Sequence, residues 1–423
     1  MSATAKQKSL VPELRFSGFD GEWAQYSLSE LVNNVGGTAL ESHTDKQGTH
    51  KFISIGNYST TGIYIDNGQR VVLNDKTKTK LLDKNNLAMV LNDKTASGDI
   101  IGSTILIDED DSYIYNQRTE RLVCKENFLP KYAWLYLNSP RFRKRIVKIS
   151  QGGTQIYVNF PSVKRELVLI PKSNEQQKIA DFLGSVDAWL DNLRAQKTAL
   201  QSYKQGMMQK LFSGQVRFKD EAGKSFPDWI TSNLDSLGEV KTSSVDKLSS
   251  TDERPVKLLN YMDVYRRDHV YNADIFQDVT ANDREISTFN LRQGDILFTP
   301  SSETPIDIGH SAVVMEDLDE VLYSYHLVRF RPKENVFIGR FAGYAFKSYL
   351  FYKEFWRRAQ GATRYTLSLE SIKDASVTYP PSLAEQQKIA DFLTALDQTI
   401  TAKADEITKV EEWKKGLMQK MFV

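Results

Sequence analysis

The nine residues EQQKIADFL stand at Glu175–Leu183 and recur unchanged at Glu385–Leu393, and this repeat limits the possible folds of the 423-residue chain more than any other feature. The displacement of 210 positions persists. Pro171 answers Pro381, Asp187 answers Asp397, and GMMQKLF (Gly206–Phe212) answers GLMQKMF (Gly416–Phe422). A spacing held without insertion is the mark of a continuous helix, because one added residue turns everything after it by about 100°.

The apolar pattern agrees. Ile179, Val186, Leu193, Leu200 and Met207 fall every seven residues, with Phe182, Leu183 and Leu190 beside them. In the second copy Ile389, Phe392, Leu393, Leu396, Ile400, Ile407, Val410 and Leu417 form the same stripe, broken at Lys403. Neither copy contains proline. Each is expected to be a long amphipathic helix, and two helices with matched seams are expected to pack on one another.

Fainter repetition extends upstream. QGGTQIYVNF (Gln151–Phe160) resembles QGATRYTLSL (Gln360–Leu369), and the openings LRFSGFDGEW (Leu14–Trp23) and VRFKDEAGKSFPDW (Val216–Trp229) share RF…W. The chain reads as two halves, each a globular part of about 170 residues followed by a helix. The expected segments are 1–174, 175–213, 214–384 and 385–423. Short β-branched runs such as HKFISI, LAMVLN, VKLLNYM and SAVVM read as strands, and KYAWLYLNSPRFRKRIVKIS and GRFAGYAFKSYLFYKEFWRRAQ as helical, with Pro140 interrupting the first. A mixture of sheet and helix places each globular part in the α+β class.

Few kinds of chemistry fit. GKS at Gly223–Ser225 lacks the upstream glycine of a phosphate loop, and the five histidines show no ligand spacing. The single cysteine, Cys124, rules out a disulfide within the chain. No apolar run reaches the roughly 20 residues of a membrane span, and MSATAKQKSL lacks a signal-peptide core, so a cytoplasmic protein is expected. No catalytic residue and no metal site are expected. A self-sufficient enzyme is disfavoured by the missing motifs.

The remaining clusters are basic and polar, and they recur. RFRKRIVKISQGGTQ supplies Arg141, Arg143, Lys144 and Lys148, then Gly152, Thr154 and Gln155; KEFWRRAQGATR supplies Arg357, Arg358, Thr363 and Arg364. Each ends in a Gly-x-Thr turn, where backbone N–H groups can approach a phosphate and a neighbouring side chain can reach a base edge. Two polar loops between strands differ in sequence, as loops reading different bases would. NDKTASG holds Asn92, Lys94 and Thr95, and PSSETPIDIG holds Ser301, Ser302 and Thr304. The charge balance does not by itself suggest nucleic acid: residues 1–174 carry 23 Lys+Arg against 18 Asp+Glu, but residues 213–384 carry 21 against 25.

The doubled helix start, the LRFSGFDGEW opening, the two Gly-x-Thr turns and the GxMQKxF endings together resemble the specificity subunits of type I restriction-modification systems. The likeness covers essentially the whole chain. It implies two target recognition domains, each reading half of a bipartite site in double-stranded DNA, separated by two antiparallel helices packed as a coiled coil. It further implies docking of two methyltransferase subunits, with two motor-nuclease subunits joining for restriction. S-adenosylmethionine, ATP and Mg²⁺ would then belong to those partners. Helices of 38 residues would be about 57 Å long, a ruler able to set the gap between half-sites. On this reading EQQKIADFL is repeated to build an equivalent socket for the same partner twice, with Ile179, Phe182, Leu183, Val186, Leu190, Ile389, Phe392, Leu393, Leu396 and Ile400 as the seam. The competing expectation is a coiled-coil scaffold that binds only protein and reads no DNA.

Overall fold

In a computed structural model, which describes residues 10–423, the two repeated segments are continuous helices, Ser173–Phe212 and Leu383–Met421. The first nine residues, on which most of the reading of the N-terminus rests, lie outside the described part. Two units divide the chain: one runs up to Arg194 and adds Asp405–Val423, the other is Ala195–Ala404. The units thus cut across the four segments read from the sequence, because each contains a globular part and one end of each long helix.

In the first unit, strands Val32–Gly36, Thr119–Cys124, Leu87–Val90 and Thr104–Leu106 lie in that order in an antiparallel sheet. A second sheet orders Arg70–Val71, His50–Ile53, Tyr113–Tyr115 and Leu81–Leu82, with its middle pair parallel. The run LAMV is apolar throughout because both its faces are covered. Leu87 and Met89 enter the core shared with the helices, while Ala88 and Val90 enter a second core with Ile53 and Tyr115.

The second unit repeats the plan with one addition. Gly238–Thr242, Val328–Pro332, Ile296–Phe298 and Ser311–Val314 match the first sheet, and His269–Val270 extends its edge in parallel. Gln277–Ala281, Arg254–Leu259 and Val321–Tyr323 form the companion sheet, again with one parallel pair. The α+β class expected from the sequence is the one the chain adopts.

The expected break at Pro140 separates helix Pro130–Leu137 from helix Pro140–Ile149, with the Ser139 side chain accepting the N–H of Phe142 at the new N-terminus. The second half breaks at the equivalent place without a proline. Helix Gly339–Ala345 ends, and Ser348 caps Tyr349–Arg358 by accepting the N–H of Phe351. A serine cap satisfies an end N–H as well as proline dispenses with one.

Within the first unit the long helices pack antiparallel. Val186, Leu190 and Leu193 meet Val410 and Ile407, and Phe182 adjoins the same cluster. Asp187 pairs with Lys414 and Arg194 with Glu411 (2.6 Å), so numbers rise on one helix as they fall on the other. Within the second unit Lys204 pairs with Asp397 (2.5 Å), the symmetry-equivalent of the Asp187–Lys414 pair under the 210-residue displacement. No helix among the described residues is long and apolar enough to cross a membrane.

Candidate nucleic-acid interface and helix anchors

Each unit brings its variable loop against its Gly-x-Thr turn. In the first, Asn92–Asp93 pairs antiparallel with Ile156–Tyr157, and a Gln151–Tyr157 bridge closes the turn holding Gly152, Thr154 and Gln155. In the second, Ser301–Ser302 pairs with Tyr365–Thr366, and a Gln360–Thr366 bridge closes the turn holding Thr363 and Arg364. Thr154, Gln155, Thr363 and Arg364 are exposed. The leading glycine of each turn has a local reason. Gly152 (φ +110°) and Gly361 (φ +137°) would each place a Cβ about 2 Å from a carbonyl oxygen of their own turn, that of Gln155 or Arg364. These glycines serve turn closure first.

The first loop is braced from inside. Buried Asp93 accepts the N–H of Ile100 (2.7 Å) and both the N–H (2.9 Å) and hydroxyl (2.8 Å) of Thr95. Burial alone would raise this carboxyl, but those donors outweigh it and hold it below its ordinary range. Thr95 is therefore committed to Asp93, while Lys94 is exposed and Asn92 half-buried. From the flanking helix, Arg143 donates to the carbonyls of Ile101 (2.8 Å) and Asp99 (2.9 Å). Burial lowers its guanidinium to about 10 against the pull of Asp93 and Asp99, so it stays charged at neutral pH. Arg143 holds the loop from behind. Lys144 and Lys148 are exposed; Arg141 pairs loosely with Glu13 (3.5 Å) and, with Lys144, lines a small cleft beside Gln419 and Lys420.

The second loop is braced by aromatic residues instead. Tyr261 donates to the carbonyl of Ser301 (2.7 Å), Tyr265 to Asp307 (2.9 Å), and Trp356 Nε1 to the carbonyl of Ile306 (2.9 Å). His310 Nε2 lies 2.9 Å from the other Asp307 oxygen. Ser302 donates to the Thr304 carbonyl, and Arg364 reaches Ser301 Oγ at 3.5 Å. Arg357 and Arg358 do not join this cluster. Arg358 pairs with Glu354 (2.7 Å) and donates to the Asp374 carbonyl, and Arg357 lines a cleft with Thr231 and Thr378. No group of carboxylate, histidine or cysteine side chains that could hold a metal occurs among the described residues.

The repeated nonapeptide has a role that its periodicity conceals. Glu175 is buried and takes a two-pronged pair from Arg15, with both N–O distances 2.7 Å; Glu385, fully buried, takes the same pair from Arg217 (3.0 and 2.9 Å). The phenylalanine after each arginine packs on the helix too: Phe16 on Phe182 (5.4 Å) and Phe218 on Phe392 (5.9 Å). Gln176 accepts the N–H of Leu129 and donates to the carbonyls of Asn127 and Pro171; Gln386 accepts from Ile338 and donates to Val336 and Pro380.

Ile179 and Leu183 lie in the core of the first unit, Ile389 and Leu393 in that of the second, with Leu396 partly buried against it and Ile400 half-buried. Of the expected seam, Val186 and Leu190 sit between the helices, and Phe182 borders both environments. The repeat therefore clamps each globular part to its own helix. That use accounts for its Glu, its first Gln, its Ile and its Leu. RF…W and EQQ were both visible in the sequence; their mutual contact, some 160 residues apart, was not.

The sequence profile of the type I restriction modification DNA specificity domain matches residues 20–201 and 227–412. The chain is 27% identical over 300 residues to the type I restriction enzyme MjaVIII specificity subunit of Methanocaldococcus jannaschii, covering 67% of this chain and 68% of that protein. It is 22% identical over 309 residues to the StySPI specificity subunit of Salmonella potsdam, covering 70% and 66%. In fold it is similar to the crystal structure of the S subunit of a type I restriction-modification system from M. genitalium, with a TM-score of 0.54 at 18% identity over 98% of this chain and 99% of that one. A second solved chain, from work on assembly and conformational transition of the type I R-M system, gives 0.62 at 13% identity over 95% and 97%.

Proposed function

The chain belongs to the type I restriction-modification DNA specificity family, and we propose that it reads a bipartite DNA site, one half through each globular part. The observation that carries this reading is the contrast between the two halves. Their clamps are built from the same residues, Arg15–Glu175 and Arg217–Glu385, whereas the loops paired with the Gly-x-Thr turns differ in sequence and in bracing. A framework kept the same with unlike tips suits two readers of unlike sequences.

The DNA contacts come from Asn92, Lys94, Thr154 and Gln155 in one half and from Ser301, Thr304, Thr363 and Arg364 in the other. Exposed Lys and Arg set affinity through phosphates, and the loop side chains select base edges. The long helices set the gap between half-sites and carry two methyltransferase subunits, with motor-nuclease subunits joining for cleavage. The chain itself does no chemistry. S-adenosylmethionine, ATP and Mg²⁺ act on the partners, which must draw the target adenine out of the duplex to methylate it. The assembly works in the cytoplasm, where the DNA is.

The test is DNA binding by the assembled complex at several salt concentrations. Sequence-selective binding that weakens steeply with salt is expected. Binding with no preference among sequences would favour a protein-only scaffold.

A further inference from the structure

A third element stands beside each loop pair. The turn between strands Tyr113–Tyr115 and Thr119–Cys124 corresponds to the turn between Val321–Tyr323 and Val328–Pro332. Both lie next to the expected reading loops. In the first half the carbonyl of Arg118 accepts the N–H of Leu91 (2.8 Å), and the carbonyl of Leu91 accepts that of Val158 (2.9 Å). Turn, loop and Gly-x-Thr strand are thereby neighbours in that order. Arg118, Asn92 and Asn159 line one cleft of about 530 Å³. In the second half Pro300 takes the place of Leu91: its carbonyl accepts the N–H of Leu367 (2.8 Å), but it has no N–H to give the turn. Tyr325 and His326 occupy that turn with rings 3.9 Å apart, and Tyr325 is half exposed. Lys247 and Arg364 are close enough that, after burial, their charges depress His326.

Arg118 is unusual on two counts. It is exposed, and among the described residues its guanidinium makes no hydrogen bond or ion pair, although its neighbour Arg121 and the equivalent core Arg329 are engaged. Its backbone sits at φ +67°, a left-handed conformation that an arginine seldom adopts and that costs free energy to hold. An unpaired planar fork offered beside a half-buried Asn matches the major-groove face of a purine. At the same place in the other half stands a tyrosine–histidine pair, able to contact a different base.

We propose that these turns are direct base-reading elements, with Arg118 selecting in one half-site and Tyr325 and His326 in the other. This rests on the reading of the globular parts as DNA-recognition domains. The experiment uses the full chain in its assembled methyltransferase complex. Arg118→Gly is the informative variant, because glycine accepts the left-handed backbone that alanine would strain. Tyr325→Ala with His326→Ala serves the other half. Competition binding compares a duplex carrying the motif mapped from methylated adenines in cells with duplexes altered at each base of each half-site.

Arg118→Gly should cut discrimination roughly ten- to a hundredfold at one or two positions of a single half-site, and the Tyr325/His326 variant should do so only in the other. Discrimination within twofold of the parent at every position would overturn the proposal, as would an equal loss for all sequences. A parallel exchange of the whole first globular part separates the two levels of the argument. If the exchange switches one half-site while Arg118→Gly relaxes nothing, only the turns lose their role. If the exchange switches nothing, the reading of the globular parts as recognition domains falls with it.

Discussion

Replacing Arg217 with Met tests the clamp between the second globular part and its helix. Glu385 is fully buried, and its carboxylate receives two bonds from Arg217 and a third, at 3.2 Å, from Trp229 Nε1. Arg217→Met fills most of the arginine's volume but leaves a buried charge facing one indole N–H. Breaking one side of such a pair costs about 3–5 kcal/mol. The Arg217 side chain is 24% exposed, so water can reach the vacated side, and the lower end, about 3 kcal/mol, is expected. For a domain of about 200 residues that is a fall of roughly 6–12 °C in the transition of the second unit. Glu385→Gln should cost less, about 1–2 kcal/mol, because the amide keeps an acceptor for Trp229 and Arg217. Combining the two changes should recover at least about 1 kcal/mol relative to their sum. Hydrogen exchange over 383–393 at increasing urea reads the stability of the affected unit, because the six tryptophans of the chain report together in fluorescence. The clamp of the first unit is the internal control. A loss under about 1 kcal/mol, or strict additivity in the double variant, would refute the claim that this pair fastens domain to helix.

Other consequences are simpler to read. Asp93→Asn should loosen residues 92–100 at a cost of about 1–2 kcal/mol, seen as faster hydrogen exchange in the loop alone. Because the folded state holds the Asp93 carboxyl below its ordinary range, its stabilisation is complete above about pH 4 and fades as pH falls through the depressed value, so loop protection should drop only in acid. Burial pushes the Cys124 thiol up to about 12; iodoacetamide should label it slowly in the native chain at pH 8 and fast in urea. Leu190→Ala, in the seam of the first unit, should cost about 2–5 kcal/mol by leaving a cavity against Val410, measured by urea unfolding.

What the sequence revealed followed from periodicity. The long helices, the strands HKFI and LAMV, and the break at Pro140 were legible because their signals are local. The break before Ser348 was not, since a serine in an apolar helical run is equally a cap or an exposed helix residue until the fold decides. Arg143 stands out by charge alone, yet its Nε and one terminal nitrogen donate to the carbonyls of Ile101 and Asp99, contacts that sequence distance hides. The nonapeptide was conspicuous for its identity, but identity did not say what it touches. Its partners, Arg15 and Arg217, lie in openings that looked like minor echoes of one another. Conversely, Arg118 carried no signal at all: one arginine in a turn has no pattern, and only its position beside Leu91 and its unpaired fork mark it.

The most direct test of the whole account is to map methylated adenines across the genome of cells carrying the complete system. One motif made of two defined half-sites, separated by a fixed run of unspecified bases, is the result expected of two unlike readers carried on one chain. A single uninterrupted motif, or methylation without sequence preference, would contradict it.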